Sequence, residues 1–218
     1  MLEEIERLKH ALQHVYWLGG SPCAGKSSIA NELVTRYGWR LYRCDDAYAR
    51  HAQEATVTNE PTLYHLSRLT PDALWIERSV EQQIREEFAF YHDEWRLIVR
   101  DLEALPRDVP ILAEGSALLP GLVAPLLCER SKAMWMVPTM EFQLTYYQQR
   151  AWAREVVREC RDPEQAFENW MQRDSGFARA VIQEARQYHL DVVVVDGTRT
   201  LAQNLAYVEQ AWRGDVQV

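Results

Sequence analysis

A glycine-rich segment at residues 19–28, "GGSPCAGKSS", carries glycine, lysine and serine at the spacing G-x-x-x-x-G-K-S. In a loop of this kind the backbone N–H groups point at phosphate oxygens, the lysine reaches the outer phosphates, and the serine hydroxyl reaches Mg²⁺. The motif needs a strand before it and a helix after it, and an apolar run and a helical pattern flank it here. We therefore assign phosphate binding to this loop, at Gly20, Ser21, Pro22, Cys23, Ala24, Gly25, Lys26, Ser27 and Ser28.

Three carboxylates follow apolar runs downstream of the loop. Asp45 and Asp46 end "LYRCDD", and Glu114 ends "PILAE". Open parallel sheets bind ligands beyond the carboxyl ends of their strands, which makes all three candidates for chemistry. We expect one aspartate to face the phosphates and the other to cap the next helix, with a buried ion pair as the alternative. Glu114 either contacts Mg²⁺ through water, accepts a hydrogen bond from a substrate hydroxyl, or caps the segment after it. The candidate metal ligands are Ser27, Asp46 and Glu114.

Arginines recur in the second half of the chain. Residues 138–160 show a helical pattern that places Arg150, Arg154 and Arg158 four residues apart. Like charges on one helix face repel unless an anion faces them, so Arg150 and Arg154 are candidates to stabilise a transferring phosphoryl group. A solvated face of mixed charge is the alternative. Arg199, in the loop "DGTRT", is a candidate contact to a nucleotide, although helix caps explain the threonines of that loop equally well.

The elements that must position these residues are five apolar, strand-length runs alternating with helical patterns. This alternation predicts an α/β fold of three layers, with a mainly parallel five-stranded sheet covered by helices. The last run contains four consecutive valines, which predicts a strand buried on both faces. The predicted strands are 14–18, 40–44, 110–113, 133–137 and 191–195.

A helical insertion, at approximately 60–106, separates the second strand from the third. Thr70 fits a helix N-cap and Pro71 the first helical position, and apolar residues then recur at spacings of three and four as far as Pro106. We expect this apolar face to pack on the sheet or on a neighbouring helix, with a homodimer contact as the alternative. Of the eight tryptophans, one or two near the insertion are candidates to line an apolar pocket.

Composition favours a single domain over residues 1–218, because the chain is ordinary in apolar and charged content and has no low-complexity tract. The net charge of −8 argues against nucleic acid as a partner. The four cysteines are scattered without a CxxC pair, which argues against a zinc site or a disulfide framework and favours the cytoplasm. No apolar run is long enough to predict a membrane span. The amphipathic N-terminal segment is a candidate for packing between subunits.

In the order of these motifs, nearly the whole chain resembles the P-loop kinases of small molecules and nucleotides. The similarity is greatest to the branch that contains adenylate, shikimate and gluconate kinases and chloramphenicol phosphotransferase. It implies a three-layer P-loop NTPase fold, ATP and Mg²⁺ as cofactors, and a lid at approximately 154–174. It also implies that Asp45 accepts the proton of the attacking hydroxyl and that Arg150 and Arg154 clamp the phosphates. Shikimate kinases separate their two aspartates by one residue, whereas Asp45 and Asp46 are adjacent, so the acceptor is not implied.

Three functions are compatible with the sequence. The first is a kinase that phosphorylates a hydroxyl of a small molecule. The second is a nucleoside or nucleotide kinase, for which Arg68, Arg78 and Arg85 could hold an acceptor phosphate. The third is a non-catalytic regulatory protein that binds nucleotide, although the chain lacks the NKxD and DxxG motifs of a GTPase switch.

Overall fold

The computed structural model describes residues 2–212 and contains a five-stranded sheet in the order β2, β3, β1, β4, β5. The strands are β1 Val15–Gly20, β2 Arg40–Arg43, β3 Ile111–Glu114, β4 Ala133–Pro138 and β5 Asp191–Val195. The helices are α1 Leu2–Leu12, α2 Lys26–Tyr37, α3 Cys44–Glu54, α4 Pro61–Leu66, α5 Pro71–Trp75, α6 Val80–Ala104, α7 Pro120–Val123, α8 Met140–Gln148, α9 Ala151–Val157, α10 Pro163–Gln187 and α11 Leu201–Trp212. All neighbouring strands run parallel, so the chain is α/β, and the five predicted strands are confirmed to within two residues at each end.

Different helices bury the two faces of the sheet. Side chains of a strand alternate between faces, and all six residues of β1 are buried. Trp17 belongs to a core cluster with Ile98 of α6 and Phe177 of α10. Its neighbour Leu18 belongs to the opposite cluster, with Ile29 of α2 and residues of α11. The central strands therefore lie between two helical layers.

The prediction that the valine-rich strand is buried on both faces is wrong. Among the strands of residues 2–212, β5 pairs with β4 alone and lies at an edge of the sheet. Val193 and Val195 are buried, whereas Val194 between them is 41% exposed. The unbroken valine run indicated burial, but the order of the strands decides which of them lies at an edge.

The insertion is not one continuous helix. Thr70 caps a helix as predicted, since its hydroxyl accepts a hydrogen bond from Ala73 N at 3.2 Å, but that helix ends at Trp75. A second cap, the Ser79 hydroxyl, accepts from Gln82 N at 3.2 Å and begins the 25-residue helix α6. The predicted stripe, whose first residue is Val80, therefore lies on α6, but the helix that carries it does not begin at Pro71.

The stripe of α6 packs within the chain. Ile98 and Leu102 are fully buried in the core under the sheet. Towards the other end of α6, the rings of Phe88 and Tyr91 lie 5.0 Å and 5.7 Å from the ring of Phe177 on α10. This agrees with the expectation that the stripe covers a neighbouring helix.

A buried histidine joins α3 to α6. Nδ1 of His51 lies 2.9 Å from Oε1 of Glu94, and Nε2 lies 2.9 Å from Oδ2 of Asp101. Burial opposes protonation of His51, but the hydrogen bonds to the two carboxylates outweigh it and raise the pKa. Burial also opposes ionisation of Asp101, yet hydrogen bonds from Arg50, His51 and Arg100 lower its pKa to about 2. The hydrogen bonds of His51 and Asp101 hold α3, which begins directly after β2, against α6.

The region after β4 departs from the prediction. Residues 138–160 form two helices, because α8 ends at Gln148 and α9 begins at Ala151. Arg150 lies between them with an extended backbone, at φ −96° and ψ 109°, so it is not in helical register with Arg154. Residues 163–174 of the predicted lid belong to the 25-residue helix α10. Of the predicted lid, residues 154–157 belong to α9, and only residues 158–162 are irregular.

The N-terminal helix α1 packs on its own chain. Ile5 and Leu8 lie against the core cluster, and Leu12 is buried in it. Arg7 forms an ion pair with Glu103 at the end of α6. Within residues 2–212, no helix is both long and apolar enough to cross a membrane.

Candidate functional site

The glycine-rich loop leaves β1 through a residue that has no room for a side chain. Gly20 has φ +127°, and a Cβ built on it would lie 1.9 Å from the carbonyl oxygen of Met136 in β4. The next residue is tied to the same oxygen, since Ser21 N donates to Met136 O at 3.0 Å. The glycine therefore lets the loop begin directly against the neighbouring strand.

The loop ends at the first residue of α2. Gly25 occupies the N-cap position with φ +84°, and within the described chain no side chain caps this helix. The free N–H groups of a helix N-terminus, together with the helix dipole, favour an anion. Cys23, inside the loop, also has a positive φ of 68°. The loop thus turns through two residues with positive φ and ends at a helix N-terminus without a side-chain cap.

Lys26 lies buried beneath the loop. Its Nζ donates to the carbonyl oxygen of Ser21 at 2.7 Å, so the side chain folds back across the turn. Burial lowers the pKa of Lys26, and the negative charges of Glu114 and Asp45 act in the opposite direction. The ammonium is therefore held among carboxylates at the base of the loop.

A cavity of about 370 Å³ opens above the loop. It brings together Lys26, Asp45, Glu114 and Arg150, which the sequence places far apart. Sequence reasoning missed four other residues of its lining, although two of them directly follow Glu114 and one lies three residues before Arg150. The missed residues are Tyr91, Gly115, Ser116 and Tyr147.

Glu114 lies at the carboxyl end of β3 and is buried. Burial raises the pKa of Glu114, while the charge of Lys26 and a hydrogen bond from Ser27 partly oppose that rise. Its Oε1 also lies 3.5 Å from Nε of Arg43. A Cβ on Gly115 would lie 2.6 Å from Cβ of Cys44, so the end of β3 touches the start of α3. That contact brings Glu114 and Asp45 to one cavity.

The donor set suits a hard cation. Ser27 and Glu114 offer a hydroxyl and a carboxylate, and oxygen ligands are those that Mg²⁺ prefers. Among residues 2–212, no group of three or more His, Cys, Asp or Glu could hold a metal ion by itself. Proteins commonly bind Mg²⁺ through one or two carboxylates, with substrate phosphates as further ligands.

The structure separates the two adjacent aspartates. Both lie in the first turn of α3, where the helix dipole favours a carboxylate. Asp45 lines the cavity. The side chain of Asp46 is 73% exposed and lies 3.6 Å from Nη1 of Arg43, outside the cavity. Asp46, predicted as a metal ligand, is therefore not brought together with Ser27 and Glu114.

The three candidate arginines have different surroundings. Arg150 lines the cavity, and within residues 2–212 no carboxylate lies at ion-pair distance from its guanidinium. Arg154 instead pairs with Glu164 at 3.1 Å and faces a separate surface cavity. Arg199 donates to Val194 O at 3.4 Å and does not line the main cavity. Of these three arginines, only Arg150 lines the cavity above the loop.

A second cavity, of about 170 Å³, adjoins the first and shares Tyr91 with it. Trp75 of the insertion is part of its lining, but the cavity is not the apolar pocket that was expected, since two arginines, a glutamine and a glutamate also line it. The polar residues on α6 were missed, although Gln83 and Glu87 follow the helical spacing of the apolar stripe. The full lining is Tyr48, Leu66, Leu74, Trp75, Arg78, Gln83, Glu87, Phe90, Tyr91 and Arg173.

Comparison of the chain with protein-family models and with curated proteins gave no match.

Proposed function

We propose that the chain is an ATP- and Mg²⁺-dependent kinase that transfers the γ-phosphoryl group to a hydroxyl of a small molecule. The supporting observation is that Lys26, Asp45, Glu114 and Arg150 line one cavity above a glycine-rich loop. The loop between β1 and α2, at the carboxyl end of a parallel sheet, is consistent with a P-loop NTPase fold.

In this proposal the loop N–H groups and Lys26 hold the β- and γ-phosphates of ATP. The ammonium leaves the Ser21 carbonyl for the phosphate oxygens, and their negative charge keeps it protonated. Ser27 and Glu114 would hold Mg²⁺, which when bound neutralises charge on the phosphates. Arg150, whose guanidinium lies near the rings of Tyr147 and Trp152 with no carboxylate at ion-pair distance among the described residues, would contact the transferring group.

Asp45 is the proposed general base. The oxygen of the acceptor hydroxyl forms a bond to the γ-phosphorus, the bond from that phosphorus to the bridging oxygen breaks, and ADP leaves. Asp45 accepts the hydroxyl proton as this occurs. Glu114 is the alternative base, but its hydrogen bond from Ser27, the other proposed metal ligand, supports a role at the metal instead.

The partner in this proposal is a small-molecule acceptor, and the compartment is the cytoplasm. All four cysteines are free thiols, as is usual where thiols are kept reduced.

The test uses the purified full-length chain. Binding of MgATP and MgGTP is measured by calorimetry, and ADP release is measured against sugars, polyol acids, amino alcohols, phenicols and nucleosides. We expect Lys26→Ala to lose MgATP binding. Asp45→Asn should keep MgATP binding and lower kcat by about 10²–10⁴-fold.

Asp46→Asn is the matched control, because it makes the same chemical change one residue away on an exposed side chain. It should change kcat by less than about twofold. Near-normal kcat in Asp45→Asn would overturn the assignment of the base. Clear preference for GTP would overturn the donor, and tight ATP binding with no transfer to any acceptor would favour a binding protein.

A further inference from the structure

The second cavity lies where an acceptor would have to sit. On α3, Asp45 lines the first cavity and Tyr48, one helical turn later, lines the second. Tyr91 of α6 lines both, so the two spaces meet at this ring. The second cavity therefore lies about one turn of α3 from Asp45, with the ring of Tyr91 bordering both spaces.

The arginines of the second cavity are already neutralised. Arg78 pairs with Glu86 and also donates to the carbonyl oxygens of Ala73 and Leu74. Arg173 lies between two buried carboxylates, with Nη1 2.8 Å from Glu87 Oε2 and Nε 2.8 Å from Asp174 Oδ1. A phosphorylated acceptor would find no uncompensated cation among the cavity-lining residues that the structure describes.

The carboxylates around Arg173 exceed its single charge. Burial raises the pKa of Glu87 to about 7, against the opposing charge of Arg173 and with the negative charge of Asp174 adding to the rise. Burial also raises the pKa of Asp174, while Arg173 and Lys26 act against it. Tyr91 faces the same group, donating its hydroxyl to Glu87 Oε1 at 3.1 Å. Two buried carboxyl groups therefore pair with the one guanidinium of Arg173, and a cation bound beside Glu87 would favour its ionised form.

An acceptor atom and aromatic rings complete the cavity. Gln83 is only 4% exposed, and its Nε2 donates to the carbonyl oxygen of Arg78 at 3.0 Å. Its Oε1 is buried and has no hydrogen-bond partner. An unpaired buried acceptor is costly, so a ligand N–H there is stabilising. The aromatic walls, which suit both a ring and a cation, are Tyr48, Trp75, Phe90 and Tyr91.

We propose that the second cavity binds a small alcohol that carries both an apolar ring and a protonated amine. The ammonium group lies between Gln83 Oε1 and Glu87, the ring packs among the aromatic walls, and the hydroxyl extends past Tyr91 to Asp45. As an acceptor site this rests on the proposed kinase function. As a binding site it can be tested without ATP.

The test compares three probes of one shape and different charge on the full-length chain. Phenylalaninol carries the amine, and 3-phenylpropan-1-ol lacks it. 3-Phenyllactate carries a hydroxyl in the position of the amine and a carboxylate in the position of the hydroxymethyl group. By calorimetry at pH 7 we expect phenylalaninol to bind about 10- to 100-fold more tightly than the neutral alcohol, and phenyllactate more weakly still. Buffers of different ionisation enthalpy should reveal proton release with the amine alone, because the ammonium favours the ionised form of Glu87.

Variants locate the effect. Glu87→Gln keeps the shape of the side chain and leaves Arg173 paired with Asp174, and it should remove the preference for the amine and the proton release. Gln83→Leu should weaken phenylalaninol binding about 3- to 10-fold, since it removes the unpaired acceptor. It also removes the hydrogen bond from Nε2 to Arg78 O, so its unfolding is measured beside its binding. Glu81→Gln, in the exposed first turn of the same helix, is the control and should change neither.

The outcomes separate this inference from the proposed function. Equal or tighter binding of the neutral or anionic probe, or no saturable binding of the amine, would overturn the inference. Amine binding without ADP release would keep the inference and count against the kinase. Transfer to neutral alcohols alone would support the kinase and overturn the inference.

Discussion

The substitution Gly20→Ala tests how the loop joins the sheet. A Cβ at this position would lie 1.9 Å from Met136 O and 2.7 Å from Met136 N, both backbone atoms of the adjacent strand. Cβ atoms essentially never come within 3.0 Å of such atoms, so β1 and β4 would have to separate by about 1 Å (3.0 less 1.9). Backbone atoms held in a sheet cannot rotate away as a flexible side chain can.

The magnitude follows from two effects. Overpacking at a close-packed contact costs about 1–3 kcal/mol. A residue with a side chain at φ +127° adds strain of about 1–3 kcal/mol. We therefore expect Gly20→Ala to lower the free energy of unfolding by about 2–6 kcal/mol, which for a chain of this size lowers Tm by about 4–24 °C.

Gly38→Ala separates the two effects. Gly38 also has a positive φ, of 68°, but no atom lies within 4 Å of the position of its Cβ. It should cost only the backbone strain, about 1–2 kcal/mol. Urea and thermal unfolding of both variants, followed by circular dichroism, give the comparison. If Gly20→Ala is no less stable than Gly38→Ala, the steric reasoning at the base of the loop is refuted.

Three further outcomes are expected. The folded-state pKa of His51 is raised, so its stabilising contribution is complete below the unfolded value of about 6.5 and is lost as the pH rises through the folded value. Urea unfolding should therefore show wild type losing stability, relative to the double variant His51→Gln/Glu94→Gln, as the pH rises above about 6.5, and a constant gap would contradict this. The pKa of Asp101 is lowered to about 2, so Asp101→Asn should destabilise the chain at pH 7, with the difference from wild type shrinking as the pH falls below about 4; a difference independent of pH would speak against it. If the chain is a kinase, Arg150→Ala should lower kcat by about 10²–10³-fold and Arg154→Ala by less than about threefold, whereas equal losses would contradict the different placements of these side chains.

The strands were predictable from sequence because each is a short apolar run between polar or turn-forming residues. The glycine-rich loop was predictable for a related reason: its spacing and its flanking elements are both local. The edge position of β5 was not predictable, since four valines look alike whether a further strand covers them or not. Strand order depends on contacts between distant segments, which a local pattern does not contain.

The site was predictable only in part. Asp45 and Asp46 are equivalent in sequence, and only the start of α3 immediately after β2 decides which of them faces the cavity. Arg150 and Arg154 share a spacing of four, yet the helix breaks at Arg150 without a glycine or proline to signal it. The polar lining of the second cavity was not predictable, because the spacing of Gln83 and Glu87 along α6 does not show that these polar side chains are buried.

Helix α6 is long enough for one of its ends to pack in the core while the other lines the second cavity. Its C-terminal half, with Ile98 and Leu102, is embedded in the core, whereas Gln83 and Glu87 near its start face the second cavity. Gln83 and Ile98 are 15 residues apart, or about 22 Å along the helix at 1.5 Å per residue. Substitutions that alter the cavity are therefore remote from those that hold the sheet, and at such distances their effects on stability are nearly additive. Descendants of this chain can change which molecule the cavity accepts while inheriting the same folded framework.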